Sequence, residues 1–138
     1  MRPDPRRHIQ DERGAVLVAG LLLTLALLIV LSAAVDIGRA FIERRALVSL
    51  ADQAALSGSQ AVDLGALHAG KLALDPSEAQ ATAAAVLESE PQLQAQATAG
   101  PTSVSVEVTR KIPTILLRLV GVPTLTVKAR ATAGPREP

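Results

Sequence analysis

Ala15 to Val35 reads AVLVAGLLLTLALLIVLSAAV, and the rest of the chain is arranged around it. The stretch holds no charge, no proline and no amide side chain; Thr24 and Ser32 are its only polar side chains. Their hydroxyls can bond back to a helical carbonyl four residues earlier. At 1.5 Å per residue the stretch reaches about 31 Å, the thickness of a bilayer's hydrocarbon core. A lone segment in lipid must be helical, because only a helix satisfies all of its backbone hydrogen bonds internally. The sequence therefore predicts a single-pass membrane anchor.

Working outward, residues 1–14 form a short basic head, with Arg2, Arg6, Arg7 and Arg13 against Asp4, Asp11 and Glu12. Pro3 and Pro5 are expected to keep its start extended. Arginines on the near side of a first span favour a cytoplasmic head, although Arg39, Arg44 and Arg45 follow the span closely. The Arg6-Arg7 pair is not continued as a twin-arginine export signal by His8, Ile9 and Gln10. The competing reading is an exported surface binding domain whose apolar segment is a cleavable signal peptide, cut after Ala34 at the end of Ser32-Ala33-Ala34. Against it, the apolar run is longer than the roughly 7–15 residues of a signal-peptide core.

Composition limits the chain beyond the span. Its remaining length of about 100 residues can bury only a small core. Alanine supplies much of its apolar content, and Phe41 is the only aromatic residue. Ligand pockets ordinarily need larger apolar walls. The absence of cysteine removes disulfides, thiolate nucleophiles and cysteine-ligated metals. A net charge of +1 and the lack of interleaved aromatic residues give no basis for nucleic-acid binding. The two histidines, His8 and His68, are expected on opposite sides of the membrane and so form no paired metal site. No phosphate loop, G-x-S-x-G or H-E-x-x-H motif is present. The expectation is a non-enzyme with no cofactor, no metal and no small-molecule substrate.

Residues 36–60 contain no proline, so the membrane helix is expected to continue outward as a stalk. Ile37, Phe41, Leu47, Val48, Ala51, Ala54, Ala55 and Gly58 recur at spacings that place them on one stripe. That stripe can pack on the chain's own domain, or it can dock on other subunits through Ile37, Phe41, Val48, Ala51, Ala54, Ala55 and Gly58. Asp36 and Arg39 are placed to pair at i, i+3.

Within this region the order Glu12-Arg13-Gly14, apolar run, Asp36-Ile37-Gly38-Arg39 and Leu50 to Gly58 (LADQAALSG) resembles the N-terminal module of TadE/TadG-like Flp pilus-assembly proteins. The resemblance covers about residues 12–60. It implies a bacterial pilin-like component, or assembly factor, of a tight-adherence (Tad) secretion and pilus system. The implied partners are membrane lipid and other pilin-like or pilus-assembly subunits, in homo- or hetero-oligomers. In the TadE type a prepilin peptidase cuts behind a glycine that is followed, at the fifth position, by glutamate. Here Gly14-Ala15 is the corresponding junction, but Ala19 stands where the glutamate would be. The departure favours an uncleaved, TadG-like anchor over a processed pseudopilin.

Residues 61–138 are expected to form a small α+β domain outside the cytoplasm. Val62 to Leu74 reads as a loop. Asp75-Pro76-Ser77-Glu78 is a helix start, with Asp75 as N-cap and Glu78 closing a capping box, and the helix should run to about Glu90 before Pro91. Glu88 and Glu90 read as solvated charges. Gln92 to Pro101 reads as a polar connection. Val104, Val106 and Val108 alternate with polar neighbours, as do Leu125, Val127, Ala129 and Ala131, which predicts two antiparallel strands. Glu107, Lys128 and Arg130 lie on their polar face and can bridge across them. Pro113 to Gly121 between them is expected to be a short helical turn forming an apolar plug over the sheet. The fold class is thus α+β: one transmembrane helix, a stalk, then a helix and an antiparallel sheet.

Overall fold

The computed structural model describes residues 5–135, with side chains from residue 14 onward. The expectations for Arg2, Pro3 and Asp4 lie outside the described residues. The architecture is α+β, as the sequence implies: one long apolar helix, then a small domain with a helix and a three-stranded antiparallel sheet. Helix α1 spans Pro5–Gly58. Pro5 opens it rather than extending the chain, which suits a residue lacking the N–H that a first helical turn leaves unpaired anyway. The chain divides into two compact units. One holds α1 through Gly38 together with Thr114–Pro123; the other holds Arg39–Pro113 and the chain from Thr124 onward.

In the second unit, α2 (Leu64–His68) is a single turn inside the segment expected to be a loop. It forms because the Asp63 carboxylate accepts hydrogen bonds from the Gly65 and Ala66 N–H groups at 2.8 and 3.1 Å. His68 Nδ1 lies 2.5 Å from the Leu64 carbonyl oxygen of the same turn. Helix α3 (Pro76–Leu87) starts as expected, with Asp75 accepting from Ser77 and Glu78 N–H at 2.9 and 3.1 Å. The Asp75 N–H, which a capping box would give to Glu78, instead donates to the Ala61 carbonyl at 2.9 Å. The helix closes at Leu87, short of Glu90.

Strand β2 (Val104–Pro113) is the centre of the sheet, between β1 (Gln94–Ala99) and β3 (Thr124–Ala133), all antiparallel. The register sets Val104 opposite Ala133, Val108 opposite Ala129 and Pro113 opposite Thr124. Strand β1 corrects the reading of Gln92 to Pro101 as a mere connection. Of the branched and aromatic residues that favour strands, its QAQATA sequence has only Thr98, and pairing with β2 supplies what propensity does not.

The core of this unit joins one face of α1 to α3 and the sheet: Leu47, Ala51, Ala54 and Ala55 meet Ala79, Ala83 and Leu87, and Val104, Val106 and Val108. Leu47, Leu74 and the three valines are its largest fully buried side chains. Each valine contributes about 2 kcal/mol by leaving water. Alanine predominates on the helices, so stability rests on close backbone approach more than on side-chain bulk.

Candidate functional site

Three features of the sequence bear on function: the span, the stripe on α1 and the Asp36 region. The structure treats each differently.

Residues 15–35 are helical, and their large apolar side chains are exposed, Val16, Leu23 and Leu31 among them. The Thr24 hydroxyl donates to the Gly20 carbonyl at 2.8 Å and the Ser32 hydroxyl to the Leu28 carbonyl at 2.6 Å. Both polar side chains are thereby satisfied within the helix, as an apolar solvent requires. Length and composition suffice to cross a membrane. Gly14 lies inside the helix, and a methyl group at its Cα would meet nothing within 4 Å. No packing among the described residues calls for glycine there.

Asp36 follows the span directly and is 3% exposed. Its Oδ1 accepts the Ile115 N–H at 3.0 Å, and its Oδ2 accepts those of Leu116 and Leu117 at 2.9 and 2.8 Å. These donors lead into a 3₁₀ turn, Leu117–Val120, whose N-cap residue Leu116 offers no side-chain acceptor of its own. A helical turn leaves its first N–H groups without partners, and the distant carboxylate supplies them. Hydrogen bonds to a charged acceptor are worth about 1.5–3 kcal/mol each. The far end of the segment is closed by Gly121 at φ 89°, whose N–H returns to the Arg118 carbonyl at 3.2 Å. Its base is tied by the Thr114 N–H to the Pro123 carbonyl at 3.1 Å and by the Thr114 hydroxyl to the Val122 carbonyl.

The short turn ending in glycine thus forms as the sequence indicates, but the plug does not. Ile115, Leu119, Val120 and Val122 are exposed, and the segment belongs to the compact unit of the span. In the sequence Asp36 was legible as a neighbour of Arg39 and as part of the Asp36-Ile37-Gly38-Arg39 motif, but not as the cap of a distant turn. Its three backbone donors lie 79 to 81 positions away, beyond any local pattern.

The stripe divides. Ala51, Ala54, Ala55 and Gly58 are buried in the chain's own core, along with Leu47. A Cβ on Gly58 would stand 2.7 Å from the Ala79 carbonyl oxygen and 3.1 Å from Val104 Cγ1. These four candidate subunit-packing residues are therefore occupied within the chain. Of the others, Ile37 in the first unit is exposed, as are Phe41 and Val48 in the second. The Arg45 guanidinium sits 5.3 Å from the centre of the Phe41 ring, a cation–π contact.

Charged groups in the second unit act as ties. Arg110 on β2 reaches Glu43 of α1 at 3.2 Å and Glu90 beyond α3 at 2.7 Å, so Glu90 is an ion-pair partner rather than a purely solvated charge. Arg110 also lines an open cleft of about 440 Å³ beside Leu50, Gln53 and Val86. Glu107 and Arg130, directly opposite in the register, pair as the sequence indicates. The hydrogen bond from Arg130, reinforced by its charge, lowers the Glu107 pKa and raises that of Arg130. Among the described residues, no group of three or more histidines, aspartates or glutamates is placed to hold a metal.

Residues 14–67 match the family model of Flp pilus-assembly TadE/G-like proteins. The match begins at the glycine before the span and runs through the buried part of α1 into α2. The N-terminal module, and not the rest of the chain, is thus similar to that of TadE/G-like Flp pilus-assembly proteins. No curated protein and no solved structure matches the chain.

Proposed function

We propose that this protein is a membrane-anchored, pilin-like structural component of a Tad/Flp pilus-assembly or secretion system, acting through helix contacts and not through catalysis. The observation that carries the reading is a coincidence of place. The family match starts at Gly14, where the apolar span begins, and includes the whole of that span. The head faces the cytoplasm and the α+β domain lies outside it, in the sense that the arginines of the head favour. Lipid solvates the span, while small residues such as Ala19, Gly20 and Ala26 permit close approach by other transmembrane helices. The exposed side chains Ile37, Phe41 and Val48 offer further contact with other subunits, whereas Ala51, Ala54, Ala55 and Gly58 hold the domain to the helix.

Gly14-Ala15 is the candidate processing junction. A glycine that serves neither packing nor a turn supports keeping it under test, and Ala19 in place of a glutamate favours the uncleaved form. A photo-crosslinking residue at Phe41, in the full-length protein in its native host, tests the assembly role. Adducts with pilus-assembly subunits are expected; adducts confined to the chain itself, or none, contradict it.

A further inference from the structure

The Thr114–Pro123 segment has a feature that an assembly role for the helix does not use. It is apolar, exposed and fixed in place. Leu119 is 80% exposed, Val120 54% and Ile115 50%, on a turn whose polar backbone is largely satisfied from within or by Asp36. A segment free to lose water from these side chains would ordinarily turn them inward. Here the carboxylate, the glycine turn and the Thr114 ties hold the backbone, and the apolar groups remain outside.

The position of Asp36 in the chain decides what covers them. It is the first residue after Val35, the last residue of the apolar run, so its carboxylate marks the level at which the span leaves hydrocarbon. Because that carboxylate binds the N–H groups of Ile115, Leu116 and Leu117 directly, the turn is held at the same level. Its exposed leucine, valines and isoleucine then continue the lipid-facing surface of the span. Arg118 on the same turn is exposed and can meet a lipid phosphate, since a long basic side chain lays its stem on apolar surface while its head stays in the polar zone.

We propose that Thr114–Pro123 is a membrane-interface loop. It inserts Ile115, Leu119 and Val120 into the headgroup boundary of the outer leaflet, and Asp36 is the residue that positions it there. The anchor is then a two-point contact, with a span through the bilayer and a wedge on its surface, that fixes rotation about the helix axis as well as depth. The inference rests on the membrane-anchor reading.

The chain has no cysteine, so one introduced thiol can be labelled uniquely. The full-length protein carrying Leu119→Cys with an environment-sensitive fluorophore would be reconstituted in phosphatidylethanolamine–phosphatidylglycerol vesicles and exposed to lipids spin-labelled near the headgroup or near the chain end. The loop should be quenched roughly twofold or more by the shallow label and less by the deep one, as expected for interfacial insertion. A Leu23→Cys protein, labelled in the span, is the control. If Leu23 is quenched by the deep label while Leu119 is quenched by neither, the loop inference fails and the anchor stands; a blue-shifted but unquenched Leu119 label would mean that protein, such as a second copy, covers the turn. If neither position is quenched, the anchor reading fails and the loop inference with it. Adding Asp36→Ala to Leu119→Cys should abolish most of the shallow quenching and leave Leu23 quenching intact; unchanged quenching at Leu119 would overturn the positioning role of Asp36.

Discussion

The two parts of helix α1 are built from similar residues and meet opposite surroundings. Through Val35 the helix presents leucines, valines and alanines that touch no core at all. From Leu47 to Gly58 it presents leucine, alanines and a glycine that are buried almost completely. The difference lies in size and placement. The span is apolar on every side and fit for a solvent that is itself apolar, so its side chains need no matching partner. The later part is apolar on one face only, and that face is cut back to alanine and glycine so that the backbones of α3 and the sheet can come close. Apolar residues occur in both parts; their distribution around the helix and the volume of the side chains tell the two apart.

The comparison breaks first at Gly58. Gly58→Leu forces a side chain against the Ala79 carbonyl and Val104, and it should cost about 4 kcal/mol, the exceptional end of the scale for overpacking. Thermal unfolding of the α+β domain in the detergent-solubilised full chain would show it. Gly20→Leu, where a Cβ meets nothing within 4 Å, should leave that transition unmoved. Next, Leu25→Asp places a charge near the middle of the span, a change of about 4 kcal/mol in insertion free energy. It should shift protein out of the membrane fraction without altering the packing of the α+β domain. Leu47→Ala, at a position 1% exposed, should destabilise that domain by about 3 kcal/mol. Leu23→Ala in the span should not.

Smaller effects sharpen the picture. Asp36→Asn keeps the shape but removes the charge and one acceptor, and should weaken the turn by about 2 kcal/mol. Hydrogen exchange at the Ile115, Leu116 and Leu117 amides would report it, with exchange in β2 and β3 unaffected. The smallest effect belongs to the exposed Glu107–Arg130 pair. Because the pair lowers the Glu107 pKa below its ordinary value of 4.5, its contribution stands above that pH and is lost as pH falls through the lowered value. The small difference in melting temperature between the wild type and Glu107→Gln should therefore close in acid.

Much of this was legible in the sequence because it is local. The uninterrupted apolar run, the Asp75-Pro76 helix start, the valine alternation of β2 and its pairing with β3 each follow from neighbouring residues. What was not legible depends on distant parts of the chain. Strand β1 exists because β2 offers an edge to QAQATA, whose own preference for a strand is weak. The stripe on α1 reads as continuous at helical spacing, yet only tertiary packing decides that Ala51, Ala54, Ala55 and Gly58 are buried while Phe41 is not. The bonds from Asp36 to the Leu116 turn span most of the chain, and no spacing rule reaches that far. The apolar run from Ile115 to Val122 likewise looks like core until its place beside the end of the span is known.

The central claim is that the apolar span stays with the chain and holds it in a membrane. The most direct test is the intact mass of the protein recovered from the membrane and medium fractions of its native host. The account predicts the full-length mass, in the membrane fraction. A membrane-bound chain beginning at Ala15 would instead make the protein a processed pseudopilin despite Ala19. A soluble chain in the medium beginning near Val35 would contradict the account outright, because the anchor would have been an export signal.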